Sequence, residues 1–288
     1  MVAIPKKTGT VSEIDNIIYG GESRPYLGMS GIGEPCWRKL WYDFHWVHLS
    51  EFPARTQRIF GIGHLFESIA VENLKKVGCF VYKKDPDGTV QELTGEVGEE
   101  QESIVGFEGH AEGHPDGRVV GLQEMPTLEC LLEMKTMAEK YFKAVKKSGV
   151  QIAHPKYYAQ MQKYMGKMGL SMAFFLAISK NTCEYYSEFV ELDYGFFKEL
   201  ERKEQLIIIS DEPPERAYAS NFYACSWCNH YSHCHAKRVD VNVNCRTCDF
   251  CDLEGNGVWS CTLKNNEKKL STATQRKGCK SWKLGWGL

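Results

Sequence analysis

No apolar run in this chain is long enough to cross a bilayer, so no membrane-spanning helix is expected. Met1 to Thr10 has no apolar core, which argues against a secretory leader and makes the cytoplasm the expected compartment. Neither sign of charge dominates: 35 Lys and Arg stand against 37 Asp and Glu, a net charge of -2. Any nucleic-acid surface must therefore be local rather than a property of the whole chain. No Gly-x-x-x-x-Gly-Lys-Ser/Thr loop occurs, which excludes a P-loop ATPase within this sequence. Internal repeats and long low-complexity tracts are also missing.

What remains is an ordinary globular composition, 43% hydrophobic and 12% aromatic, over 288 residues. That length suits one large domain with an appendage, or two small domains. The first 33 residues carry Gly, Pro and Ser without clear periodicity and read as an N-terminal arm or loop. Helical patterning follows over 34–46 and 56–76, where Phe60, His64, Glu67 and Val71 recur at helical spacing before Gly78. Strand candidates are 79–83, 104–111, 118–122 and 128–135, with Asp85-Pro86-Asp87-Gly88 as a turn. Helices are expected at 140–147 and 157–168, strands at 172–179 and 184–191, and a helix at 194–209. The order indicates a mixed α/β (α+β) fold with a central sheet flanked by helices. Pro213-Pro214 marks the end of that body.

The chemistry concentrates in Gly113-His114-Pro115-Asp116-Gly117 and, a strand later, in Glu133-Met134-Lys135. Alternate residues of a strand share a face, so Glu133 and Lys135 point the same way. Asp116, on a neighbouring turn whose following glycine permits a tight bend, can meet Glu133. Two carboxylates beside a lysine suit a Mg²⁺ or Mn²⁺ site for phosphodiester hydrolysis. Glu-x-Lys alone is equally an exposed ion pair on a solvated strand. Glu108 and Glu112 compete with Asp116 as the upstream carboxylate, and His110 and His114 are alternative support residues. His64 and Glu67 lie one helical turn apart, as do Gln160 and Tyr164; a lone histidine on an apolar helix is commonly a core residue, and Glu67 can equally be structural.

This ordered set resembles the PD-(D/E)XK nuclease superfamily, and within it the RecB-type exonucleases. The family pattern is a helix histidine, an aspartate after a strand, Glu-x-Lys on the next strand and Gln-x-x-x-Tyr on the following helix. The match runs over 41–179, about half of the chain. The resemblance implies a restriction-endonuclease-like core at 34–212. It also implies His64, Asp116, Glu133 and the Met134 carbonyl as ligands of Mg²⁺ or Mn²⁺. Lys135 would position the attacking water or steady the developing charge, and Gln160 and Tyr164 would hold the substrate strand near the scissile phosphate.

Twelve cysteines in a chain expected to be intracellular point to metal or iron–sulfur ligation rather than disulfides. Cys79, Cys130 and Cys183 lie in apolar, strand-like segments and read as plain buried residues. Cys225, Cys228 and Cys234 supply three sulfurs, and Cys36 is the isolated candidate for a fourth. One early cysteine joined to a late C-x₂-C-x₅-C group resembles the iron–sulfur clasp of several RecB-type nucleases, among them the CRISPR-adaptation nuclease. By that resemblance residues 213–238 would hold a [4Fe–4S] cluster with Cys36. His230, His233 or His235 could instead complete a zinc site without it. In the tail, 239–288, Cys245, Cys248, Cys261 and Cys279 are assigned to a structural zinc, with Cys251 as the spare or as a replacement for Cys248. Zinc would supply much of the folding energy of so small a module.

Between Lys135 and Lys167 lysines are frequent, and Tyr141, Phe142, Tyr157, Tyr158 and Tyr164 are interleaved with them. Lysines that neutralise phosphates beside aromatics that stack on bases suit a DNA groove; the same residues suit an amphipathic helix pair with its rings in the core. The tail lysines, Lys264 to Lys283, suit DNA or partner contact. The expected function is a metal-dependent DNA exonuclease in recombination, repair or phage DNA processing. DNA ends or single strands are its substrate, and a recombination or helicase protein is its partner. The alternatives are a non-catalytic nucleic-acid-binding protein on a nuclease-like fold and a structure-specific endonuclease.

Overall fold

The computed structural model describes residues 9–20, 23–48, 51–236, 241–264 and 269–288. The start of the expected arm, the boundary at 238–239 and Lys268 lie outside the described residues. The side chain of Lys264 is likewise not described.

Six strands form the central sheet: β1 (Phe80–Lys84), β2 (Val90–Glu92), β3 (Gly117–Val120), β4 (Cys130–Met137), β5 (Met172–Ser179) and β6 (Tyr185–Glu191). Their order is β6-β5-β4-β3-β1-β2, with β4 and β5 parallel and the other pairs antiparallel. A parallel pair needs a crossover, and two helices provide it: α3 (Glu139–Ala153) and α4 (Pro155–Met168). Pro155 opens α4, where a missing N–H costs nothing. Before them come α1 (Trp37–Phe44) and α2 (Ala54–Lys76), and after the sheet comes α5 (Tyr194–Ile209). Asp193 caps α5 by accepting from the Phe196 N–H at 2.9 Å. No helix among the described residues is long and apolar enough to cross a membrane.

All eight residues of β5 are buried, as a strand covered on both faces requires. Ala173, Phe175 and Ala177 face one apolar cluster with α1, α3, α4 and α5, while Phe174, Leu176 and Ile178 face a second with α2. In β4, Leu131 belongs to the first cluster and Leu132 and Met134 to the second. Period-two alternation therefore sends Glu133 and Lys135 toward α4. The first half of α2 stands apart from both clusters, and Ile59, Phe60, Ile62, Leu65 and Ile69 are exposed.

Several expectations are corrected. Residues 104–111 are not one strand: Ile104–Val105 and Ala111–Gly113 are separated by a 3-10 turn in which Glu108 takes φ 48°. The second of these strands sits between Leu27–Gly28 and Ile104–Val105 in a small sheet of its own. The first 33 residues are more than an arm, because Leu27, Met29 and Ile32 are buried in the first cluster. Cys79 and Cys130 are buried, but Cys183 is exposed at φ 58° in the turn between β5 and β6.

The tail is not a separate appendage. Cys248, Cys251 and Trp259 lie in the first cluster. Arg246, 1% exposed, donates to the carbonyls of Phe44 (3.0 Å) and Pro25 (2.7 Å) and to Gln275 Oε1 (2.8 Å). Its guanidinium lies 3.9 Å from the Trp46 ring centre and 4.6 Å from that of Trp259. A planar cation between two indoles, with its donors satisfied by buried acceptors, fastens the tail to the N-terminal third.

Candidate active site

The pairing of Gly117 with Leu132 sets β3 beside β4 and brings Asp116 alongside Glu133. Asp116 Oδ2 accepts the Met134 N–H at 2.6 Å, and Oδ1 accepts from Gln101 Nε2 at 3.2 Å. Strand β4 thus fixes the carboxylate from one side and a loop glutamine from the other. Glu133 is fully buried and ion-paired with Lys135, and its Oε2 has no hydrogen-bond partner among the described residues. Burial pushes its carboxyl up to about 8, against the pull of Lys135 and with the added repulsion of Asp116 and Glu67. Burial pulls Lys135 down, but Glu133 and Asp116 outweigh it and hold the ammonium charged.

The Lys135 ammonium meets Glu133 Oε1, Met134 O at 3.1 Å and Asp116 Oδ2 at 3.8 Å. Those three oxygens are the oxygen ligands expected from the sequence, and a cation already stands among them. Beyond them opens a cleft of about 300 Å³ lined by His64, Glu67, Gln101, Asp116 and Met134. Glu67 is the residue that the sequence left open between the site and a structural role. Its carboxyl is raised by burial and then by Asp116, so it faces the same charges. The helical spacing from His64 was the available signal. His64 itself is exposed and lines the cleft beside Glu67.

Tyr164 lies behind the carboxylates. It is 1% exposed and donates to the His114 carbonyl at 3.3 Å; burial, then Glu133 and Asp116, keeps its hydroxyl protonated. A Cβ at Gly113 would stand 2.4 Å from the Tyr164 ring, so only glycine lets α4 approach this closely. Gln160 is buried one turn earlier on α4, and no hydrogen bond ties it to Asp116, Glu133 or Lys135. Glu108, Glu112, His110 and His114 do not join the group. Glu112 accepts from Ser103, His110 bonds the Glu254 carbonyl, and His114 meets Tyr26.

Among the described residues no three His, Cys, Asp or Glu side chains form a ready-made ion cage. The donor chemistry at Asp116 and Glu133 nevertheless fits a hard divalent cation. The group offers two carboxylates, a carbonyl and an orphaned buried oxygen, with an ammonium as the stand-in.

The four clasp cysteines share one pocket. Cys36, just before α1, lines it with Cys225, Cys228, Cys234 and His235. The thiols of Cys225 and Cys228 are raised by burial, and Cys36 adds to both. His230 also lines the pocket, but its Nε2 is bonded to Asp43 at 2.8 Å. In the tail, the hairpin of Cys251–Leu253 and Trp259–Cys261 pairs Cys251 with Cys261 directly. Burial raises the Cys251 thiol, with Cys245, Cys248 and Cys261 contributing. Cys279 is exposed in the turn before Trp282. Strand register thus sets Cys251 opposite Cys261, a neighbour that cysteine spacing did not reveal.

Solved structures similar to this chain include an alkaline exonuclease, LHK-Exo, from Laribacter hongkongensis (TM-score 0.44, 16% identity, covering 64% of this chain and 87% of that one). A structure of LHK-Exo in complex with dAMP matches with the same score and identity, over 64% of this chain and 86% of that one. SSO0001 matches with a TM-score of 0.39 and 13% identity, over 76% of this chain and 90% of that one. No family model matches the chain, and no curated protein matches it in sequence. Likenesses this distant leave the chemistry to the residues.

Proposed function

We propose that the chain is a divalent-metal-dependent DNA exonuclease of the RecB-type PD-(D/E)XK class, with a restriction-endonuclease-like core at 34–212. The carrying observation is the Lys135 ammonium resting among Glu133, Asp116 and the Met134 carbonyl. Glu133, Asp116 and Met134 O would hold Mg²⁺ or Mn²⁺, with Glu67 closing the cleft side and His64 at its rim. When bound, the ion would supply Lewis-acid polarisation of the phosphate and a more acidic water. Lys135, released from the carboxylates, would turn to the phosphate and steady its charge. Tyr164 and Gln160, packed behind β4, would hold the site against the substrate strand.

Two further groups complete the reading. Cys36, Cys225, Cys228 and Cys234 would carry a structural [4Fe–4S] cluster, a reading supported by their common pocket and by Asp43 engaging His230. Cys245, Cys248, Cys251 and Cys261 would bind zinc. The protein would act on DNA in a reducing cytoplasm, in recombination, repair or phage DNA processing, alongside a recombination or helicase partner.

Linear, circular, single- and double-stranded DNA incubated with Mn²⁺ or Mg²⁺ tests the enzyme. Linear DNA is expected to be degraded, circular DNA spared, and all activity lost in Glu133→Ala and Lys135→Ala. Equal activity in the variants overturns the site; cutting of circles makes the protein an endonuclease. Anaerobic protein should be brown and contain iron and sulfide as well as zinc. Zinc should fall in Cys251→Ser and persist in Cys279→Ser.

A further inference from the structure

The structure sorts the five aromatics that the sequence interleaves with lysines between 135 and 167. Phe142 and Tyr164 are buried in the core. Tyr158 stacks on Phe196 at 5.6 Å and, like Tyr157, is partly buried against the same cluster. Tyr141 is exposed, and it and Tyr157 both meet His154, a residue that the sequence did not single out.

These three rings make a path. His154 stacks on Tyr157, with centroids 5.1 Å apart and planes at 29°. Tyr141 meets His154 edge-on, at 5.6 Å with planes at 63°, and is 52% exposed. The path begins at the active site, because the Lys135 ammonium lies 5.5 Å over the Tyr157 ring. It ends at Lys140, 5.9 Å over Tyr141. Lys140 and Lys147 lie two turns apart on α3, so they share a face of that helix.

The backbone is built to hold this arrangement. α3 breaks at Gly149, where φ is 74°, and the Val150 N–H is taken by Glu188 Oε2 at 2.8 Å. The chain then turns into His154 and Pro155, which sets the imidazole across the junction of α3 and α4. Burial lowers the His154 pKa, leaving a neutral ring at neutral pH. An exposed aromatic ring offers a π-face to any base, and stacking of this kind is indifferent to sequence.

We propose that Tyr157, His154 and Tyr141 form a stacking path for unpaired bases of the strand whose reacting phosphate lies at Lys135. The preferred substrate would then be DNA whose end is single-stranded over its last nucleotides. This deepens the nuclease reading and rests on it for the position of the phosphate.

The test measures binding without added divalent metal, so that no cleavage is needed. A fluorescent single-stranded oligonucleotide is compared with the same strand carrying abasic positions, on wild type, Tyr141→Ala, Tyr157→Ala and Tyr157→Phe. Removal of either ring is expected to weaken the normal strand about fivefold or more. Affinity for the abasic strand should stay within about twofold, and Tyr157→Phe should bind like wild type. Alanine variants that melt like wild type and still bind the normal strand within about twofold overturn the proposal. Should an alanine variant fail to fold, 2-aminopurine in the strand reports on wild type directly: quenching supports stacking and its absence refutes it. The two readings fail separately. A protein that stacks bases but cuts no DNA loses only the nuclease reading, and one that cuts DNA without sensing bases loses only the path.

Discussion

Replacing Glu133 by glutamine should make the metal-free protein more stable while abolishing its activity. The carboxylate is fully buried, its Oε2 is orphaned, and its pKa rises from 4.5 to about 8. Between those values the folded state binds a proton that the unfolded state has released, so wild-type stability falls as pH rises through that window. Below it both states are protonated, and above it the penalty is constant. At about 1.4 kcal/mol per pH unit, the cost reaches about 3 kcal/mol at pH 7. Glutamine carries no such charge, but a buried amide without partners costs about 1–3 kcal/mol. Lys135 would lose its closest counter-charge and keep the Met134 carbonyl and Asp116. The net expectation is a gain of about 1–2 kcal/mol at pH 8, or a few degrees in melting temperature. The gain should shrink toward pH 5. Saturating Mn²⁺ should reverse the order, because at a hundredfold excess over Kd a ligand adds about 2.7 kcal/mol to wild type alone. Thermal melts from pH 5 to 8, with and without Mn²⁺, read all of this. A difference that is flat with pH, or a variant less stable than wild type at pH 8 without metal, would refute the reasoning.

Two further substitutions probe the supports of the site. Arg246→Lys keeps the charge but cannot reach Phe44 O, Pro25 O and Gln275 together or lie flat between Trp46 and Trp259; it should cost about 2 kcal/mol in chemical denaturation. A loss under about 0.5 kcal/mol would show that the stacked guanidinium is not what fastens the tail. Gly113→Ala places a methyl 2.4 Å from the Tyr164 ring and 2.9 Å from Met29, so α4 must shift. DNA degradation should fall by about tenfold or more with far-UV dichroism unchanged, since small displacements at a site are costly; unaltered turnover would count against a role for Tyr164.

The sheet was legible because its strands obey simple periodicity. Met172–Ser179 and Tyr194–Ile209 fall where their patterns place them, and alternation in β4 sets Glu133 and Lys135 on one face. The nearness of Asp116 to Glu133 followed from a tight turn between paired strands. Contacts made across the fold were not legible. Glu67 approaches Asp116 only because α2 packs over β4, and Gln101 reaches Asp116 from a loop without pattern. Cysteine spacing favoured Cys279, whereas the hairpin register brings Cys251 opposite Cys261. The tail read as too small for a core of its own, and among its described residues Cys248, Cys251 and Trp259 use the core of the rest.

That shared core bears on how the chain is made. Domains fold in order as they leave the ribosome, each once its own residues are out. Here the carbonyls of Ser23, Pro25, Phe44 and Trp46 wait for Arg276, Arg246 and Asn244, more than 190 residues downstream. The N-terminal third cannot make these bonds until Asn244, Arg246 and Arg276 have been synthesised. A nascent chain stalled before Arg246 would carry Asp116, Glu133 and Lys135 in a body that lacks the side chains bonded to its N-terminal carbonyls, so translation through Arg276 becomes a step in assembling the site.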